Sequence, residues 1–217
     1  IDPISLPLTS MDGSQAQYHP VGHPDVSIFG AIRDAAPDFW GRRVIEAKLK
    51  IPPNSVPESV YLLNAGQHRL GALDFRAGLD VAAPDGQLPP LIQLEYLVEA
   101  ADRIQNGVAI PAQLEQIFTA GTMGGARPKA LVIHRHQQYL AKFPAKNDAF
   151  DVPIVERACL ELARRAGLDV PETDLQQLAD GRHVMLIERF DRRAAPGGFH
   201  RRHCVSALTM LNKHESE

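Results

Sequence analysis

The sequence predicts an α+β fold on three observations. Up to about residue 120, apolar residues recur mainly at helical spacing. Residues 130–143 read as strand, turn, strand, and 183–190 form a short apolar run bounded by charge, the mark of a buried strand. A boundary near Gly121, where the helical period gives way to strand–turn–strand, divides the chain into an N-terminal unit (1–119) and a second unit (120–217).

The elements follow in order. The first 27 residues hold four prolines and little periodicity, so they read as extended or looped. Residues 37–50 read as a helix with Phe39, Trp40, Val44, Ala47 and Leu49 on its apolar side, and Pro52–Pro53 ends it. A short helix fits residues 57–64, and residues 68–76 look strand-like. Residues 78–90 are rich in Gly, Pro, Asp and Ala and predict a surface loop. Helices are expected over about 92–105 and 113–120.

In the second unit, Ala130–His134 and Gln138–Phe143 predict a hairpin. Residues 152–166 form the best helix in the sequence. Val152, Val155, Ala158, Cys159, Leu160, Leu162, Ala163 and Ala166 share one broad arc, which makes Cys159 an expected core residue. Glu156 projects inside that arc, where an unpaired carboxylate would cost several kcal/mol, so a cationic partner is expected. A short helix is expected after Pro171-Glu-Thr173, then the buried strand 183–190. Residues 191–203 predict a basic loop, and 205–211 a final apolar segment of unsettled type.

Bulk properties exclude several classes. The net charge of -3 gives no global pull toward nucleic acid or an anionic membrane. No apolar run approaches the roughly 20 residues that span a bilayer, and the first residues do not form a signal peptide. Two cysteines without metal-ligand spacing suggest a reducing compartment, so a cytoplasmic protein is expected. His134 with His136, and His200 with His203, lack convergent ligands at suitable spacing, so no metal site is assigned within this chain.

The chemistry concentrates in Gly121-Thr-Met-Gly-Gly-Ala-Arg-Pro-Lys129 and Tyr139-Leu-Ala-Lys142. Glycines let backbone amides crowd around a polyphosphate, and lysines supply mobile ammonium groups. The spacing is not that of a Walker A loop, because Ala130 follows Lys129. A glycine-rich turn, a strand lysine (Lys142), an inward helix glutamate (Glu156) and an apolar strand ending in Glu188-Arg189-Phe190 stand in this order. That is the order of a protein-kinase small lobe, where a loop covers the phosphates and a helix glutamate holds the strand lysine. A purely local ion pair of Glu156 with Arg157 or Lys142 is the structural alternative.

The chain also resembles the HipA family of bacterial persistence-toxin serine/threonine kinases, the toxins of type II toxin–antitoxin pairs. The matching pieces are Phe29–Arg43, Leu70–Phe75, Gly124–Lys129, Tyr139–Pro144, Glu156–Leu160, Val170–Thr173, Glu188–Arg192 and Arg202–Ser206, which keep family order through nearly the whole chain. The resemblance implies a HipA-like N-terminal subdomain followed by a kinase-like small lobe. It implies that Gly124, Gly125, Ala126, Arg127, Pro128 and Lys129 contact ATP phosphate, that Lys142 is the nucleotide lysine, and that Glu188, Arg189 and Phe190 form the hinge beside adenine. Glu156 would supply the supporting ion pair. Thr122 falls where family members carry an autophosphorylated serine.

The family's catalytic aspartate and Mg²⁺-holding aspartate lie well past the hinge, and neither of their sequence patterns follows Phe190 here. The resemblance therefore implies a piece of a longer Mg-ATP-dependent kinase, inactive by itself, with its catalytic residues and metal ligands in a C-terminal lobe. It further implies an aminoacyl-tRNA synthetase as protein substrate, growth arrest as outcome, and a helix-turn-helix antitoxin of the HipB type through which the complex meets operator DNA. The competing readings are a non-catalytic accessory module that docks a separate kinase or antitoxin, and a scaffold for a DNA complex.

Overall fold

The computed structural model describes residues 28–78, 80–81, 88–111, 125–211 and 213. The expected helix over 113–120, the candidate Thr122 and the first loop glycine Gly124 lie outside the described residues.

Among the described residues helices come first: α1 (Gly30–Ala35), α2 (Phe39–Leu49), α3 (Glu58–Asn64) and α4 (Leu94–Gln105), the last preceded by a 3₁₀ turn at Leu91–Gln93. Asp38 starts α2 by accepting a 2.6 Å hydrogen bond from the Gly41 amide, satisfying one of the donors a helix start leaves open. Lys50 in the left-handed region ends it just ahead of the two prolines.

Next come β1 (Lys129–His134), β2 (Gln137–Lys142), α5 (Val152–Arg165), β3 (Thr173–Gln177) and β4 (His183–Glu188). The four strands form one antiparallel sheet in the order β1-β2-β4-β3. Arg135 and His136 both take positive φ between β1 and β2, which matches the twist that a two-residue hairpin turn demands. The fold is thus α+β, a mixture of helices with an antiparallel sheet.

Side chains alternate across a strand, so the register divides the sheet into two faces. Ala130, Val132, Tyr139, Ala141, Val184 and Leu186 face one way and pack with Trp40, Val44, Ile45, Tyr61, Leu97 and Val98 in a single core. That core joins residues from both sides of Gly121. The opposite face carries Lys129, Leu131, Leu140, Lys142, Met185 and Ile187. Leu70 packs over its Leu131–Leu140 patch, and α5 packs against β3 and β4.

Several expectations are corrected. Thr173–Gln177 is a strand rather than a short helix, because pairing with β4 supplies the hydrogen bonds that its polar sequence cannot secure alone. Residues 191–203 are not a plain loop: β5 (Arg192–Ala195) and β6 (Gly198–Arg201) pair around Gly197, and Arg192 is buried. No strand forms over 68–76, where the backbone is instead tied down by buried arginines. Cys159 is exposed, because α5 turns Pro153, Glu156, Leu160 and Ala163 toward the sheet and leaves Val155 and Leu162 outside. Phe39 and Leu49 are exposed as well, Phe39 lying under the Arg43 guanidinium. The terminal apolar segment contains a short helix, α6 (Ala207–Met210), capped by Ser206 Oγ.

Candidate functional site

Lys129 and Lys142 sit directly opposite each other at the open end of the β1–β2 hairpin. Like charges in cross-strand register repel. The fold answers with two carboxylates from two different helices: Asp38 at the start of α2 meets Lys129, and Glu156 on α5 meets Lys142.

The two ammonium groups are left in different conditions. Lys129 is almost wholly buried, 4% exposed. Its Nζ donates to the carbonyls of Gly125 (2.8 Å) and Arg127 (3.0 Å) and lies 2.9 Å from Asp38 Oδ2. An ammonium has three N–H donors, so little is left for a ligand. The Asp38 contact is a close ion pair rather than an aligned hydrogen bond, and that oxygen accepts from no other group among the described residues. Burial pushes the Asp38 carboxyl above its ordinary value and the Lys129 ammonium below its own, outweighing their mutual attraction in both cases. Lys142 is one-third exposed, and its Nζ donates to Glu156 Oε1. Among the described residues nothing else takes its other two donors.

Those donors border a hollow of about 260 Å³ lined by Gly125, Ala126, Arg127, Pro128, Lys129, Lys142, Phe143, Val152, Pro153 and Glu156. Gly125 has φ +117°, a conformation that side chains rarely adopt, which is how the backbone turns into the hollow. Arg127 reaches outward to Asp148, whose carboxylate also accepts from the Ala145 amide. The Arg127 hydrogen bond holds Asp148 below the usual carboxylate range. The glycine turn is thereby fastened on one flank to α2 and on the other to the β2–α5 connection.

Glu188, Arg189 and Phe190 lie at another place. All three line a second hollow with Val170, Glu172 and Arg193, away from Lys142. The Glu188 amide donates to Glu172 O and the Arg189 amide to Gln138 O, so neither is open to a ligand. The Arg189 side chain is buried structure: it donates to the carbonyls of His68 and Arg69, to Gln138 Oε1 and to both oxygens of Asp191. Phe190 is exposed and shares with Gly125 and Asp38 the wall of a third, larger cleft. Sequence reasoning missed Asp191 and Asp38, although both stood inside motifs it had singled out. Among the described residues no group of three or more His, Cys, Asp or Glu side chains could hold a metal ion.

Residues 121–217 match the family model of the HipA-like C-terminal domain. This part of the chain belongs to the HipA family. The match begins at the glycine-rich turn and takes in both lysines, Glu156 and the Glu188–Arg192 motif. A comparison with curated proteins found no match. No described helix is long and apolar enough to cross a membrane.

Proposed function

We propose that the hollow between the Gly125 turn and Lys142 takes the phosphates of ATP, and that the HipA-like domain is the nucleotide-binding lobe of a serine/threonine protein kinase. The observation that carries the reading is the shared hollow itself. It combines a glycine turn, a part-exposed lysine with spare donors, and a helix glutamate that fixes the lysine. An ammonium held on one side by a carboxylate still attracts an anion on the other, and the carboxylate sets its direction. Exposed backbone around Gly125–Arg127 adds peptide dipoles at close range.

The division of labour within this chain is binding and orientation. Lys142 meets phosphate, Glu156 orients Lys142, and the Gly125 turn closes over the ligand. Glu188 and Arg189 would serve adenine only through their carbonyls, since both amides are engaged; the Phe190 amide makes no backbone hydrogen bond among the described residues. Activation of the acceptor hydroxyl and retention of Mg²⁺ fall to carboxylates outside the described residues. The wider role is that of the resemblance: a toxin kinase acting on a protein such as an aminoacyl-tRNA synthetase, restrained by a helix-turn-helix antitoxin bound to operator DNA.

Calorimetric titration with ATP tests the reading. The parent chain should bind, and Lys142→Ala should abolish binding while leaving its circular dichroism unchanged. A variant that binds ATP as tightly as the parent removes Lys142 from the site.

A further inference from the structure

We infer that Asp38 and Lys129 form a latch that fixes the glycine-rich turn in its binding conformation, so that Asp38, distant in sequence at the N-cap of α2, is a positioning residue for the phosphate hollow. The inference rests on the nucleotide reading above for its consequence, but the latch is observable without nucleotide.

Five contacts build it. Lys129 Nζ closes back on the carbonyls of Gly125 and Arg127, which curls the turn around the ammonium. Asp38 Oδ2 stands on the ammonium's remaining side at 2.9 Å. The other Asp38 oxygen, Oδ1, accepts from the Gly41 amide, so the carboxylate is fixed to the first turn of α2. Trp40 Nε1, from the same turn, donates 2.7 Å to the Lys129 carbonyl and holds the backbone beside it. One helix start thus grips one lysine by its side chain and by its main chain.

Charge explains why the carboxylate is needed. Lys129 is buried directly opposite Lys142, and two carbonyl dipoles do not neutralise an ammonium in that setting. Without the Asp38 charge, Lys129 gains by swinging toward water, and leaving its place releases both turn carbonyls. The turn would then lose its internal ties while Lys142 and Glu156 stayed where they are. Lys129 accordingly acts as a staple of the loop, and Lys142 is the lysine left to meet phosphate.

The test is Asp38→Asn in the full chain, with Asp38→Ser as a second variant. Both residues cap helices about as well as Asp, so α2 keeps its start and only the charge is lost. Acylation of Lys129 by a small amine-reactive reagent, mapped by mass spectrometry, is read without nucleotide, because its ammonium is buried while the latch is closed. Hydrogen exchange of α2 and ATP affinity are read separately. The latch predicts Lys129 acylation faster by about tenfold in both variants, α2 exchange unchanged, and ATP affinity weaker by a similar factor. Lys142→Ala should leave Lys129 acylation at the parent rate. Parent-like Lys129 acylation in Asp38→Asn and Asp38→Ser overturns the latch, and faster acylation with undiminished ATP affinity overturns the positioning role. If the parent itself binds no ATP, the nucleotide reading falls and Lys129 acylation alone decides the latch.

Discussion

Replacing Asp191 by Asn should be among the most damaging single changes in the described part of the chain. The Asp191 carboxylate is fully buried and accepts from Gly71 N (2.9 Å), Arg189 Nε (2.9 Å), Arg189 Nη2 (2.7 Å) and Arg192 Nη1 (2.7 Å). Burial alone would raise its pKa, but the hydrogen bonds and charges of Arg189 and the charge of Arg192 prevail and hold it below the ordinary carboxylate value. Burial in turn lowers Arg192 to about 10. Asparagine keeps the shape, yet it loses the charge and turns one acceptor into a donor facing donors. Two buried guanidinium groups would lose their counter-ion, a defect that costs about 3–5 kcal/mol. Against a domain stability of roughly 5–15 kcal/mol, that is a large share. With a urea slope of about 2 kcal/mol/M, the unfolding midpoint should fall by roughly 2 M. A midpoint within about 0.3 M of the parent would show that the network is not what pins residues 68–71 to the end of the sheet.

Two further changes probe the loop flanks. Because Asp148 titrates below its ordinary value of 3.8, its contribution should be fully present above that pH and be lost as pH falls through the lower, folded value. Exchange protection of the Ala145 amide should therefore hold steady from about pH 7 to 5 and disappear only in stronger acid; loss near neutrality would contradict the assignment. Gly125→Ala places a side chain at φ +117°, which should cost about 1–2 kcal/mol locally, weaken ATP binding and barely move the melting temperature. Parent-like ATP affinity in that variant would mean that the turn does not need its observed backbone.

Local chemistry explains which parts of this fold can be read from sequence. Helix α2 is legible because its apolar spacing and Pro52–Pro53 act within a few residues. The β1–β2 hairpin is legible because β-rich runs flank a short polar turn. The ion pair of Glu156 is expected from its helical phase, although Val155, Cys159 and Leu162, placed on the same arc, are exposed. Strand β3 is not legible, since Thr173–Gln177 is polar and becomes a strand only through its partner β4. The pairing of Asp38 with Lys129 is equally hidden: it joins a helix cap to a strand lysine far along the chain, and local spacing says nothing of it. Arg192 misleads for a related reason. Four arginines in a Gly-containing segment read as a solvated loop, yet one of them is buried on Asp191 and the Gly71 and Arg69 carbonyls.

The two lysines offer the sharpest test of the site, because they are neighbours in register yet differ in burial and in what their ammonium groups already hold. An ATP analogue bearing a lysine-reactive acyl phosphate would be incubated with the chain, with and without excess ATP, and the modified residues mapped by mass spectrometry. The structure predicts ATP-protected labelling of Lys142 and none of Lys129. Labelling of Lys129 in place of Lys142, or labelling of either that excess ATP fails to suppress, would contradict it.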